Sequence, residues 1–130
     1  MSGQTNLSEA LKSLQVSCDN IEYGFASVKN KPTNFDKGVL GTFEEEEGLT
    51  IIATKEYFET NGIKYEGPYA KLTIDVHTSL ELVGFTAVLA KKLAENQISA
   101  NVVAGYFHDH IFVQYSLRQK AIYSLNNLKG

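Results

Sequence analysis

The sequence predicts an α+β fold with antiparallel strands, and two features of its second half carry that prediction. First, Ala70, Leu72, Ile74 and Val76 alternate with Lys71, Thr73 and Asp75, the period-two pattern of a strand with one buried face. Second, the residues after it read helix, strand, strand, helix. A helical pattern runs to about Glu95, strand-like runs cover 98–106 and 111–115, and Leu117, Ala121, Ile122, Leu125 and Leu128 mark a last helix. The order β-α-β-β-α is a ferredoxin-like βαββαβ unit without its final strand. An open sheet edge invites aggregation and is usually covered. A strand from the first half, with 21–28 as the best candidate, is expected to fill the gap.

The elements follow in order. Leu7, Ala10, Leu11 and Leu14 repeat at helical spacing, Asn6 and Glu9 form a candidate capping box, and Cys18 falls near the helix end. Ile21, Tyr23 and Phe25 alternate with Glu22 and Gly24 as a strand, and 29–38 is a polar loop. Short strands over 39–43 and 49–53 flank Glu44, Glu45, Glu46, Glu47 and Gly48. Thr54 can cap a short helix that Asn61 and Gly62 stop. The glycines and proline of 61–68 suggest a division into 1–66 and 67–130. In the second half the helix stripe is read as Val83, Ala87, Ala90 and Ala94 beside Leu82, Leu89 and Leu93.

Composition narrows the function. With 130 residues, 43% hydrophobic and 21% charged, the chain suits one domain or two small halves that share a core. A net charge of −3 and no basic cluster beyond Lys91 and Lys92 disfavour a nucleic-acid partner. One cysteine excludes an internal disulfide and a cysteine metal cluster. The first residues lack a basic segment followed by an apolar one, and no apolar run approaches the roughly 18 residues that span a bilayer. A cytoplasmic protein without a membrane partner is expected. No nucleophile elbow, dinucleotide fingerprint or P-loop occurs, so neither an enzyme nor a bound cofactor is expected.

Three segments taken together carry a resemblance: Glu46-Glu47-Gly48-Leu49-Thr50, then Val76 to Glu81 with Val83-Gly84-Phe85-Thr86-Ala87, and the run ISANVVAGYFHDHIFV from Ile98 to Val113. The chain resembles small stand-alone bacterial proteins built from two tandem ACT-like subdomains. The resemblance is strongest from about residue 68 onward, and it implies antiparallel sheets with helices on one face. The first subdomain, 1–66, would be degenerate and supply a strand to the second, 67–130. It also implies a homodimer that regulates by binding a small metabolite, an amino acid or related carboxylate. By analogy the ligand lies over the turn formed by His77, Thr78, Ser79, Leu80, Glu81, Val83 and Gly84. Asn101, Val102 and Val103 would face it across a subunit interface. Gly84 matches the family's glycine at the strand-to-helix turn, whereas Val83 stands where many members have proline. With no enzyme attached, the signal would pass to a partner protein or through the protein's own assembly.

Each motif also has a plainer reading. A helix N-terminus attracts a carboxylate, yet Thr78 and Glu81 could instead close a capping box there. His108-Asp109-His110 reads as a turn that joins His77 at one end of the sheet, so the three histidines form an alternative divalent-metal site. They could equally cap strand ends. The four glutamates read as a solvated loop, since calcium requires spaced oxygens. A structural or protein-interaction module without a ligand is the remaining alternative.

Overall fold

The computed structural model describes residues 3–33, 35–76 and 84–129. The elements run α1 (Gly3–Lys12), β1 (Gln15–Cys18), β2 (Tyr23–Val28), β3 (Val39–Glu45), β4 (Gly48–Thr54), α2 (Lys55–Thr60), β5 (Glu66–Asp75), α3 (Phe85–Glu95), β6 (Asn101–Ala104), β7 (Asp109–Gln114) and α4 (Arg118–Asn126). A 3-10 turn over Tyr115–Leu117 leads into α4. Among the described residues the strands form one antiparallel sheet ordered β3-β4-β2-β5-β7-β6, with β1 also paired to β5.

β5 organises the molecule. At ten residues it is long enough to serve two partners along one edge. Its first residues pair with β2 (Tyr69 with Tyr23, Glu66 with Phe25), and its last pair with β1, from Leu72 with Cys18 to Asp75 with Gln15. Its other edge pairs with β7 from Tyr69, opposite Gln114, to Ile74, opposite Asp109. The second half therefore has the ferredoxin-like order β1-β5-β7-β6, and β2, β3 and β4 extend the same sheet.

The strand that completes the second half is thus β1, where 21–28 was expected. β2 begins at Tyr23 and takes the start of β5 instead. Cys18 lies on β1 and not at a helix end, with Val16 and Cys18 packed against the second-half core while Gln15 and Ser17 are exposed. Four residues of alternation were hidden beside the helical spacing of Leu7, Leu11 and Leu14. The start of α1 also differs: the helix opens at Gly3, so Asn6 lies inside it and not at its N-cap.

α3 starts at Phe85, with Gly84 as its N-cap at φ 87°. The Thr78–Glu81 capping box falls within 77–83, which lie outside the described residues. The buried side chains of α3 are Phe85, Leu89 and Leu93, while Ala87 and Ala94 are exposed. A stripe of Phe and Leu removes far more apolar area from water than one of alanines, which decides the rotation of the helix.

Two cores result. The larger joins Ala70, Leu72 and Ile74 of β5 and Ile111 and Val113 of β7 to Ala10 and Leu14, Phe85, Leu89 and Leu93, and Ala121 and Leu125, so α1, α3 and α4 cover one face. The smaller packs Tyr57 and Phe58 of α2 on Ala26, Ile51 and Ala53. Thr54 caps α2, its hydroxyl accepting from the Tyr57 N–H, as the sequence predicts. Glu44 to Glu47 are all exposed at the β3–β4 turn, again as expected.

Candidate functional site

Three elements converge at one end of the sheet: the end of β5, the β6–β7 hairpin and the start of α3. The hairpin is tight because Gly105 donates its N–H to the His108 carbonyl at 2.9 Å, which leaves Tyr106 and Phe107 as the two-residue loop. A Cβ on Gly105 would stand 2.7 Å from that carbonyl oxygen, so the turn needs glycine. The expected turn at His108-Asp109-His110 is therefore displaced: Asp109 and His110 already belong to β7. Both loop rings are 79% exposed and meet edge to face at 4.9 Å. Aromatic residues at a turn tip run against turn chemistry, and only Gly105 signals the turn locally.

Polar contacts tie these elements together. The Thr86 hydroxyl donates to Asp109 Oδ2 at 3.3 Å, which fixes the first turn of α3 over the hairpin. His108 Nδ1 lies 3.7 Å from Asp75 Oδ1. His110 Nδ1 and the Thr73 hydroxyl share a hydrogen bond at 3.1 Å across the β5–β7 pair. Burial lowers the His110 pKa, helped by Lys71 and His108 and opposed by Asp109, so the neutral ring is favoured. Gly84 sits at the mouth of this arrangement. Among the described residues no side chain caps α3 there, and a Cβ on Gly84 would meet none of their atoms within 4 Å. The first-turn N–H groups of a helix are a favourable setting for a carboxylate.

The face of β5 away from the helices is not plain solvent surface. Lys71 lies 3.4 Å from Asp19 Oδ2 and 5.2 Å from the centre of the Tyr23 ring. Burial pushes the Asp19 carboxyl up, but hydrogen bonds from the Tyr23 hydroxyl and the Ile21 N–H, together with Lys71, hold it below its ordinary value. Burial and the Asp19 carboxylate raise the Tyr23 hydroxyl. Beside them Phe112 is buried on this same face, edge-on to Tyr23 and Phe25 at 5.9 and 5.3 Å.

Of the ligand residues the sequence suggests, His77, Thr78, Ser79, Leu80, Glu81 and Val83 lie outside the described residues. Gly84 stands at the convergence. Asn101, Val102 and Val103 form β6, the terminal strand of the sheet, with Val103 beside His110 and Asn101 beside Phe112. Strand alternation puts Asn101 and Val103 on one face and Val102, beside Ile111, on the other. The three therefore do not share one face. Of the three histidines, His108 and His110 meet the predicted end of the sheet, and His77 lies outside the described residues. Among the described residues no three His, Cys, Asp or Glu side chains could together hold a metal ion. Sequence reading missed Asp75, Thr86 and Asp109 as contacts of the site, because each acquires its partner only through strand pairing or helix docking.

A ferredoxin-like sheet with a glycine-led helix at one end fits a small regulatory domain, and the family match places the chain among such domains. Family profiles described as ACT domain match residues 2–70 and 64–127. The chain belongs to the ACT domain family. A protein of unknown function from Vibrio cholerae, described as a possible transport protein, is 36% identical over 99% of this chain and 100% of its own, with a TM-score of 0.89. An Agobacterium tumefaciens protein shares the fold at 17% identity and a TM-score of 0.74, over 89% of each chain. The ligand-free regulatory subunit of aspartate kinase from Thermus thermophilus shares it at 10% identity and 0.59, over 89% of this chain and 98% of its own. No curated protein matches the chain in sequence. ACT domains typically bind small molecules and oligomerise, and the family is regulatory and not catalytic. Among the described residues, no helix is long and apolar enough to cross a membrane.

Proposed function

We propose that the protein is a non-enzymatic cytoplasmic sensor that binds an amino acid or related carboxylate over the His77–Gly84 turn, with no cofactor. The observation that carries this reading is the start of α3: a helix of eleven residues whose N-cap glycine supplies no side-chain acceptor and, among the described residues, has no atom within 4 Å of where a Cβ would stand. The Thr86 hydroxyl, donating to Asp109, holds that end against the hairpin. A ligand carboxylate would take the first-turn N–H groups, and its amino group would be drawn to Asp109. We read 1–66 and 67–130 as the two ACT-type halves, and the sharing of β5 supports a single interlocked unit. We place a second copy of the chain along β6, where Asn101 is exposed and Val102 is 38% exposed on the terminal strand. Binding then acts through differential affinity for two assemblies or for a partner protein.

The test is a thermal-shift screen of the twenty amino acids, common carboxylates and divalent metals. A ligand at about 100 times its Kd stabilises by about 2.7 kcal/mol, several degrees for this chain. A shift with one amino acid, abolished in Gly84→Val and retained in the backbone-compatible control Gly84→Asn, supports the reading. Stabilisation by zinc alone, lost in His108→Ala, would assign His77, His108 and His110 to a metal instead. No shift with any compound would leave an interaction module without a ligand.

A further inference from the structure

The chain has one arginine, Arg118, and its surroundings are unusual for so strong a cation. Its guanidinium lies 3.9 Å from the centre of the Tyr115 ring, and the Tyr115 hydroxyl donates to the Asn20 carbonyl at 3.0 Å, which fixes the ring beneath it. One guanidinium N–H, on Nη1, donates to the Tyr115 carbonyl at 2.8 Å. Nε is buried, with no hydrogen-bond partner among the described residues. Among the described residues no carboxylate comes within ion-pair range of Arg118; the ion pairs involve Lys55, Lys71 and His108. A guanidinium carries five N–H donors in a planar fork suited to carboxylate or phosphate. Here most of that fork is unused.

The group also lines a pocket. Arg118, Gln114, Tyr115 and Ser116 on one side face Pro68 and Tyr69 on the other, around a volume of about 580 Å3. Tyr69 is set edge-on to Phe25 at 5.4 Å. The pocket lies at the start of β5 and the end of β7, the opposite end of the sheet from Gly84. Its wall offers an aromatic surface, an amide and a hydroxyl beside one uncompensated positive charge. A stacked, partly desolvated guanidinium held in place costs little to order on binding, which favours a planar anion with an apolar body over a fully hydrated ion.

We propose that the Arg118 pocket is a second binding site, for a small organic carboxylate whose body rests against Tyr69 and Pro68. The proposal is independent of the sensor reading, since the two sites share no residue.

A single arginine makes the test direct, because the Arg118 Nε–H gives one side-chain signal in a proton–nitrogen NMR spectrum, and burial protects it from exchange. The full chain is titrated with benzoate to about 50 mM, well past the millimolar range, at constant ionic strength set with chloride. Benzamide serves as the neutral isostere and inorganic phosphate as the alternative anion. The expected result is a saturable shift of the Nε–H signal and of the Tyr69 and Ser116 amides with benzoate and none with benzamide. Arg118→Gln should abolish the amide shifts while the rest of the spectrum is unchanged, and Arg118→Lys should retain them at weaker affinity. Saturation by phosphate and not benzoate overturns the carboxylate assignment. Absence of saturation, or shifts that survive in Arg118→Gln, overturns the site. Shifts confined to Gly84, Thr86 and His110 also overturn it and leave the sensor reading standing.

Discussion

Replacing Gly84 separates a backbone requirement from a steric one. Its φ of 87° lies in the left-handed region, where an L side chain crowds its own carbonyl at about 1–2 kcal/mol. Among the described residues a Cβ there would meet no other atom within 4 Å, so none of them adds a clash to that cost. Gly84→Ala should therefore destabilise by about 1–2 kcal/mol. For a chain between the two size classes for which the relation is known, that is roughly 3–10 °C in Tm. Asparagine tolerates this region, so Gly84→Asn should cost distinctly less. Gly105→Ala is the contrast: its Cβ would stand 2.7 Å from the His108 carbonyl oxygen, and asparagine should bring no relief. Thermal and urea unfolding of the four variants, including Gly105→Asn, checks the ranking. Equal stability of Gly84→Ala and wild type would refute the left-handed cap. A loss as severe for Gly84→Asn as for Gly84→Ala would refute the open space above it.

Two further predictions probe the scaffold. Phe58→Ala, in the smaller core, should cost about 3–5 kcal/mol and Leu93→Ala, in the larger, about 2–5 kcal/mol, since both side chains are fully buried. Both variants should still unfold in one urea transition because β5 is hydrogen-bonded into both halves, and a biphasic curve would contradict that coupling. Asp19 titrates below its ordinary value in the fold, so its contribution is present above about pH 3.8 and is lost as pH falls through the lowered value. Asp19→Asn should accordingly be less stable than wild type at pH 7, with the gap closing as the medium becomes strongly acidic. A gap that stays constant across urea midpoints measured at about pH 7 and pH 3 would rule out the charged network with Lys71 and Tyr23.

What the sequence by itself determined was short-range. The alternation from Ala70 to Val76, the Thr54 cap of α2, the exposed acidic turn and the β-α-β-β-α order each depend on residues within a few positions of one another. Periodicity and capping chemistry report such features directly. Tertiary structure decided the rest. β1 is a strand because it has β5 to pair with, more than fifty residues away, and nothing in Gln15-Val16-Ser17-Cys18 outweighs the helical spacing before it. The hairpin tip fell at Tyr106 and Phe107 because Gly105 and His108 close the register, which moves the polar residues of the expected turn onto β7. Lys71, Thr73 and Asp75 read only as the polar face of the strand, yet each found a partner within the chain: Asp19, His110 and His108. The reason is common to all three cases: strand pairing and polar burial are set by neighbours distant in sequence, and only the folded register brings those neighbours together.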